Sequence, residues 1–196
     1  ALRIKLENTV GRSAVTFSGA WVGVPAEGAS VVPGTNERLT FAGDTALTLA
    51  PGAGAWSDPV GLRVVAFQRL VVSLDVASAE DASTHTLGLA SNHWAPGRRG
   101  ADPSGEGFAP IPPIAANTSV MAFPVYWVAA LDVLSDSAEG TIIPFGDSIT
   151  DGRCSTTLDG VVRPDIHQRW PDILAERRAA RATGPDGPLW GVANAG

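Results

Sequence analysis

Thr141-Ile142-Ile143-Pro144-Phe145-Gly146-Asp147-Ser148-Ile149-Thr150-Asp151-Gly152 is the stretch on which the fold turns. An apolar run, Thr141–Phe145, ends abruptly in glycine and aspartate, which predicts a short strand entering a loop. Downstream, Trp170, Ile173, Leu174 and Arg177 recur at helical spacing, so a short apolar stripe is expected. Pro171 suits a first helical turn, Asp172 the positive end of the helix dipole, and Arg177, Arg178 and Arg181 its negative end. Gly184-Pro185-Asp186-Gly187-Pro188 stops the helix, and Leu189–Ala193 resumes an apolar run. Strand, loop, helix, strand is the opening of a parallel α/β sheet.

Upstream the grammar differs. From Leu2 to Asp136 short alternating segments are separated by Gly, Pro, Asn and Ser, the pattern of an antiparallel sandwich or barrel. Leu2, Ile4 and Leu6 alternate with Arg3, Lys5 and Glu7, a half-buried strand. Further strands are expected at Ala14–Val24, Leu39–Phe41, Ala46–Leu49, Leu62–Val65, Leu70–Val76 and Val125–Leu134. Turns are expected at Pro33–Asn36, Ala42–Asp44 and Pro51–Gly54, a long exposed loop at Ala95–Pro113, and a linker at Ser135–Gly140. The 22 glycines and 15 prolines in 196 residues agree with many turns.

Composition narrows the partners. With 20 acidic against 14 basic residues, net charge −6 and Lys5 as its single lysine, the chain lacks the clustered cation that nucleic acid requires. Hydrophobic residues at 44% and charged ones at 17% mark a globular chain. One cysteine, Cys154, excludes an internal disulfide and a cysteine-based zinc cage; the thiol is free or pairs outside this chain. No apolar run approaches the roughly 20 residues of a membrane span. The opening Ala1-Leu2-Arg3-Ile4 has no signal-peptide pattern. The chain reads as a mature secreted protein whose signal has been removed, although a shortened chain would look the same.

Ser148 stands where a strand ends, the place at which open α/β sheets bind ligands. A serine there offers a hydroxyl nucleophile and its own N–H as an oxyanion donor. Asp147 and Ser148 can equally make a turn or cap a helix. Asp147 and Asp151 are too few oxygens in sequence for a calcium or magnesium loop, and Asp151 with Gly152 reads as a turn. No metal and no organic cofactor is expected. Gly-x-Ser-x-Gly does not surround Ser148, which speaks against an α/β-hydrolase elbow. His167 can face the crevice or solvate a loop, while His85 and His93 read as surface or structural residues. Trp94 can border a cleft or plug the end of a sandwich.

Residues 142–152 resemble the first block of the SGNH, or GDSL, hydrolase superfamily, and Gly191-Val192-Ala193-Asn194-Ala195-Gly196 resembles its second, Gly-x-x-Asn-x-Gly. Leu6–Gly11, Val32–Thr35, Leu39–Phe41 and Pro51–Pro59 resemble the β-rich extension in front of many secreted actinobacterial-type members. The resemblance implies a serine ester hydrolase acting through an acyl-enzyme on Ser148, whose N–H is the first oxyanion donor. Gly146, Asp147, Asp151 and Gly152 would shape the turn, and Asn194 would fix the second loop. The family's oxyanion Asn and its Asp-x-x-His pair have no match here, so this chain alone is expected to be inactive.

The expected architecture is a jelly-roll-like β-sandwich over residues 1–136, then the first part of a three-layer α/β/α hydrolase domain over 137–196. One helix and two strands cannot cover both faces of a parallel sheet. The expectation is therefore completion by a second polypeptide from the same precursor, a cleaved-chain heterodimer acting on a small ester, or by a missing segment. The alternative is a carbohydrate- or protein-binding β-sandwich carrying a non-catalytic α/β remnant.

Overall fold

The computed structural model describes residues 1–82, 84–86, 88–117, 120–136, 138–153, 155, 157–158, 161–182 and 189–195. Alternation at the N-terminus forms strand β1 (Leu2–Glu7), because alternate side chains of a strand point to opposite faces. Leu2, Ile4 and Leu6 are buried by it. Then come β2 (Val15–Gly23), β3 (Glu37–Arg38), β4 (Leu47–Leu49), β5 (Gly54–Trp56), β6 (Val71–Ser78), β7 (Thr84–His85), β8 (His93–Trp94) and β9 (Ala109–Pro110). They are followed by β10 (Ile114–Asn117), β11 (Val120–Ala122), β12 (Val125–Tyr126), β13 (Val128–Val133) and β14 (Ala138–Ile142). The rest is α1 (Ser148–Asp151), β15 (Thr157–Leu158), β16 (Val161–Val162), α2 (Trp170–Arg181) and β17 (Leu189–Val192). The regular structure is mostly strand in several antiparallel sheets, with two helices among the described residues.

The chain divides into two compact units. The first comprises Ala1–His85, Asn92–Ile111 and Val125–Val133; the second comprises Thr86–Ser91, Pro112–Pro124 and Leu134–Gly196. The second unit thus takes in two segments from the middle of the region expected to be β-rich, as well as the C-terminal part.

In the first unit β1 lies between β13 and β5, antiparallel to both, and β2 pairs with β3, β4 and β6. Leu2, Ile4 and Leu6 from β1 share one core with Val15, Phe17, Ala20 and Val22 from β2 and with Leu39, Phe41 and Leu49. Trp127 meets Phe17 edge to face at 5.5 Å between ring centres. Asn8, fully buried, joins the end of β1 to neighbouring turns: its Nδ2 donates to Ser13 C=O (2.8 Å) and Leu49 C=O (3.2 Å).

The expected turns at Pro33–Asn36, Ala42–Asp44 and Pro51–Gly54 are present. Other expectations are corrected. Leu62–Val65 is not a strand, although Leu62 and Val64 do pack on the core. Leu39–Phe41 supplies buried side chains, but the paired strand is Glu37–Arg38, opposite Trp21 and Val22. Val125–Leu134 is broken at Trp127, whose φ of +55° is left-handed, into β12 and β13. The Ala95–Pro113 stretch contains β9, paired with β8. The expected linker is part strand, since Ala138–Gly140 belongs to β14. The helix stop at Gly184–Pro188, Ser137, Cys154 and Gly196 lie outside the described residues.

Asp58 shows how the first unit depends on pH. Its carboxylate accepts from Thr40 Oγ1 (2.6 Å) and from the Gly43 N–H (2.8 Å), and these bonds, the Thr40 one foremost, hold its pKa below the ordinary 3.8. Asp81 is held down likewise, first by the Arg12 N–H (2.8 Å). A depressed folded value means that the stabilisation is complete above the unfolded pKa and is lost as pH falls through the folded one. The urea midpoint of the chain is therefore expected to drop below about pH 4, and Asp58→Asn to make that drop shallower. An equally steep profile in the variant would contradict the assignment.

Candidate functional site

Parallel strands need a long crossover, and the segment from β14 to β17 provides one that includes α2. Ala138 pairs with Leu189, Gly140 with Trp190, Thr141 with Gly191 and Ile142 with Val192, all in parallel. Helix α2 begins where Pro171 predicts, with the Asp172 carboxylate accepting from the Arg169 N–H (3.0 Å), and it packs on β17. Arg178 stacks over Trp190 at 5.7 Å.

The pairing continues past the strands. Ala193 N–H donates to Ile142 C=O (3.0 Å), Ala195 N–H to Pro144 C=O (2.9 Å) and Gly146 N–H to Ala195 C=O (3.4 Å). The two segments quoted from the sequence therefore leave the sheet side by side. Beyond Gly146 the chain turns into α1: Asp147 is its N-cap, and its Oδ1 accepts from the Ile149 N–H (2.9 Å). Ser148, the first helical residue, is exposed, and no hydrogen bond to its hydroxyl is found among the described residues.

Each expected supporting residue has a place in this turn. Asn194 Nδ2 donates to Thr150 C=O (2.8 Å), so the second segment holds the helix that begins with Ser148. Thr150 and Asp151 are buried, and the Asp151 N–H donates to Asp147 C=O (2.9 Å). Gly152 caps the helix with φ +107°, its N–H donating to Ser148 C=O (3.2 Å). Gly146 must be small: a Cβ there would lie 2.2 Å from Thr150 Oγ1.

Arg169 is a contributor that motif reading missed. A Cβ on Gly152 would lie 2.4 Å from Arg169 Cγ, so the arginine stem rests against the end of α1. Its Nη2 donates to Gly88 C=O (2.6 Å). The only local signal was Asp172 three residues on, a capping spacing that says nothing of Gly152 or Gly88.

His167 is exposed at φ +46°, and no hydrogen bond joins it to Ser148 among the described residues. His85 and His93 are residues of β7 and β8 in the first unit, as is Trp94, which is exposed. No three His, Cys, Asp or Glu side chains converge as a metal-ligand group among the described residues. No model of a known protein family matches the chain, and no curated protein matches it.

The close approach at Gly146 can be tested by a double-mutant cycle. Gly146→Ala is expected to cost about 1–3 kcal/mol in chemical denaturation, the usual penalty for overpacking. Thr150→Ala in that background removes the 2.2 Å conflict and leaves Thr150 Cβ at 2.9 Å, so it should restore part of the loss. Additive costs would mean that the two side chains do not meet.

Proposed function

We propose that this chain carries the nucleophile of a secreted serine ester hydrolase of the SGNH type. The observation that carries the reading is the Asn194–Thr150 bond: the segment resembling the second block grips the helix that opens with the exposed Ser148. In this reading residues 137–196 are the first part of a three-layer α/β/α domain, and residues 1–136 a sandwich-like accessory domain. Ile143, Phe145 and Ile149 flank the serine with 63%, 88% and 73% of their surface exposed. Parallel sheets are normally covered on both faces, which supports further polypeptide packing here, either a second chain from the same precursor or a further segment.

That polypeptide supplies a histidine, oriented by an aspartate. The imidazole takes the Ser148 proton as Oγ attacks the ester carbonyl carbon, and the Ser148 N–H with an asparagine amide holds the tetrahedral oxyanion. Collapse breaks the carbon–oxygen bond to the alcohol, which leaves with the proton from the imidazole. Water, deprotonated by the same imidazole, then releases the acid and frees Ser148.

The test is p-nitrophenyl butyrate hydrolysis by this chain assembled with the polypeptide that carries the oxyanion Asn and the Asp-x-x-His pair. Ser148→Ala is expected to lower kcat on the order of 10⁴-fold or more, with the assembly intact by size-exclusion chromatography. Undiminished turnover in the variant would remove Ser148 from the reaction.

A further inference from the structure

A second surface lies in the first unit and is independent of Ser148 chemistry. Leu62, Val64 and Leu70 pack against the core and root the loop that they bound. Between these anchors the chain faces outward: Val65 is 74% and Phe67 60% exposed, and Arg63, Ala66 and Arg69 are exposed too. The tip is shaped. Val65 N–H donates to Gln68 Oε1 (3.0 Å), Gln68 N–H donates to Val65 C=O (3.1 Å), and Phe67 takes φ +64°. A bulky residue holds that left-handed conformation only where its surroundings impose it, and here the imposed geometry puts an aromatic ring into water.

Charge singles out the same segment. In a chain of 20 acidic and 14 basic residues, no acidic residue occurs between Asp58 and Asp75, while Arg63 and Arg69 flank the apolar tip. We propose that Val65, Ala66 and Phe67 insert into the headgroup layer of an anionic lipid bilayer, with the two arginines at the phosphates. A specific protein interface buries on the order of 1,000 Å² over the two partners and draws on many residues a side, whereas the exposed apolar tip here is three consecutive residues. A bilayer interface accepts shallow insertion, and arginine stems reach along it while their heads stay with the phosphates. No helix among the described residues is long and apolar enough to cross a membrane; the contact proposed is with the bilayer surface.

The full chain is tested by co-sedimentation with phosphatidylcholine vesicles with and without phosphatidylglycerol. Binding should require phosphatidylglycerol and weaken with salt. Arg63→Gln with Arg69→Gln should weaken it about 25-fold, about fivefold per arginine, and Val65→Ser with Phe67→Ser on the order of tenfold or more. Because all four side chains are exposed, thermal melts should be unchanged. In a separate readout, Phe67→Trp should show a blue shift in the difference between its emission and that of the parent chain when phosphatidylglycerol vesicles are added. Equal binding to both vesicle types, wild-type binding by the serine variant, or a dimer that the serine variant abolishes would overturn the proposal.

Discussion

A carbonyl left open by a helix too short to satisfy it is the constraint around which the C-terminal part of the second unit is arranged. Helix α1 has four residues, so its last carbonyls have no partner within the helix. Thr150 is buried, and its carbonyl takes its hydrogen from the Asn194 amide. That bond forms only because β14 and β17 run parallel in a register that brings Phe145 beside Ala195. A slip of one residue would turn the side chains of β17 to the opposite face and shift the segment after it, Asn194 included, out of reach of Thr150. Register, glycine size and asparagine amide are thus one requirement seen at three positions: Gly146 admits the Thr150 side chain, and Asn194 meets its carbonyl.

What the sequence made legible follows from what side-chain patterns report. Leu2, Ile4 and Leu6 announce burial by alternation, and β1 forms where they say. Pro171 and Asp172 announce a helix start because their effect is local to one turn. Alternation at Leu62 and Val64 was equally true of burial, yet no strand forms there. Burial of alternate side chains does not supply a backbone partner. The converse holds at Glu37 and Arg38, which are exposed and carry no apolar pattern but pair with β2.

The candidate site was readable to the same depth. Asp147 as a cap and Gly152 as a turn residue are local properties, and both positions were legible in one short segment. The partner of Asn194 was not, because Thr150 is 44 positions away and the bond depends on the strand register. Ala138–Gly140 looked like linker by composition and became strand because Leu189 and Trp190 lie alongside.

The least legible part is what stands behind Arg169. Leu89, Asp165 and His167 are non-glycine residues at φ +54°, +64° and +46°, a concentration of strain that must be offset by bonds that fix it. Leu89 N–H donates to Phe123 C=O (2.8 Å), Asp165 N–H donates to Leu89 C=O (3.0 Å), and the Asp165 carboxylate accepts from the Ser91 N–H (3.1 Å) and hydroxyl. The last of these bonds tie Leu89 and Ser91 to Asp165, four residues before Arg169, whose guanidinium returns to Gly88. Since the Arg169 stem abuts Gly152 at the end of α1, a segment nearly 60 residues upstream of Ser148 takes part in placing its helix. That explains why 86–91 belongs to the C-terminal unit, although its composition matches the strands around it.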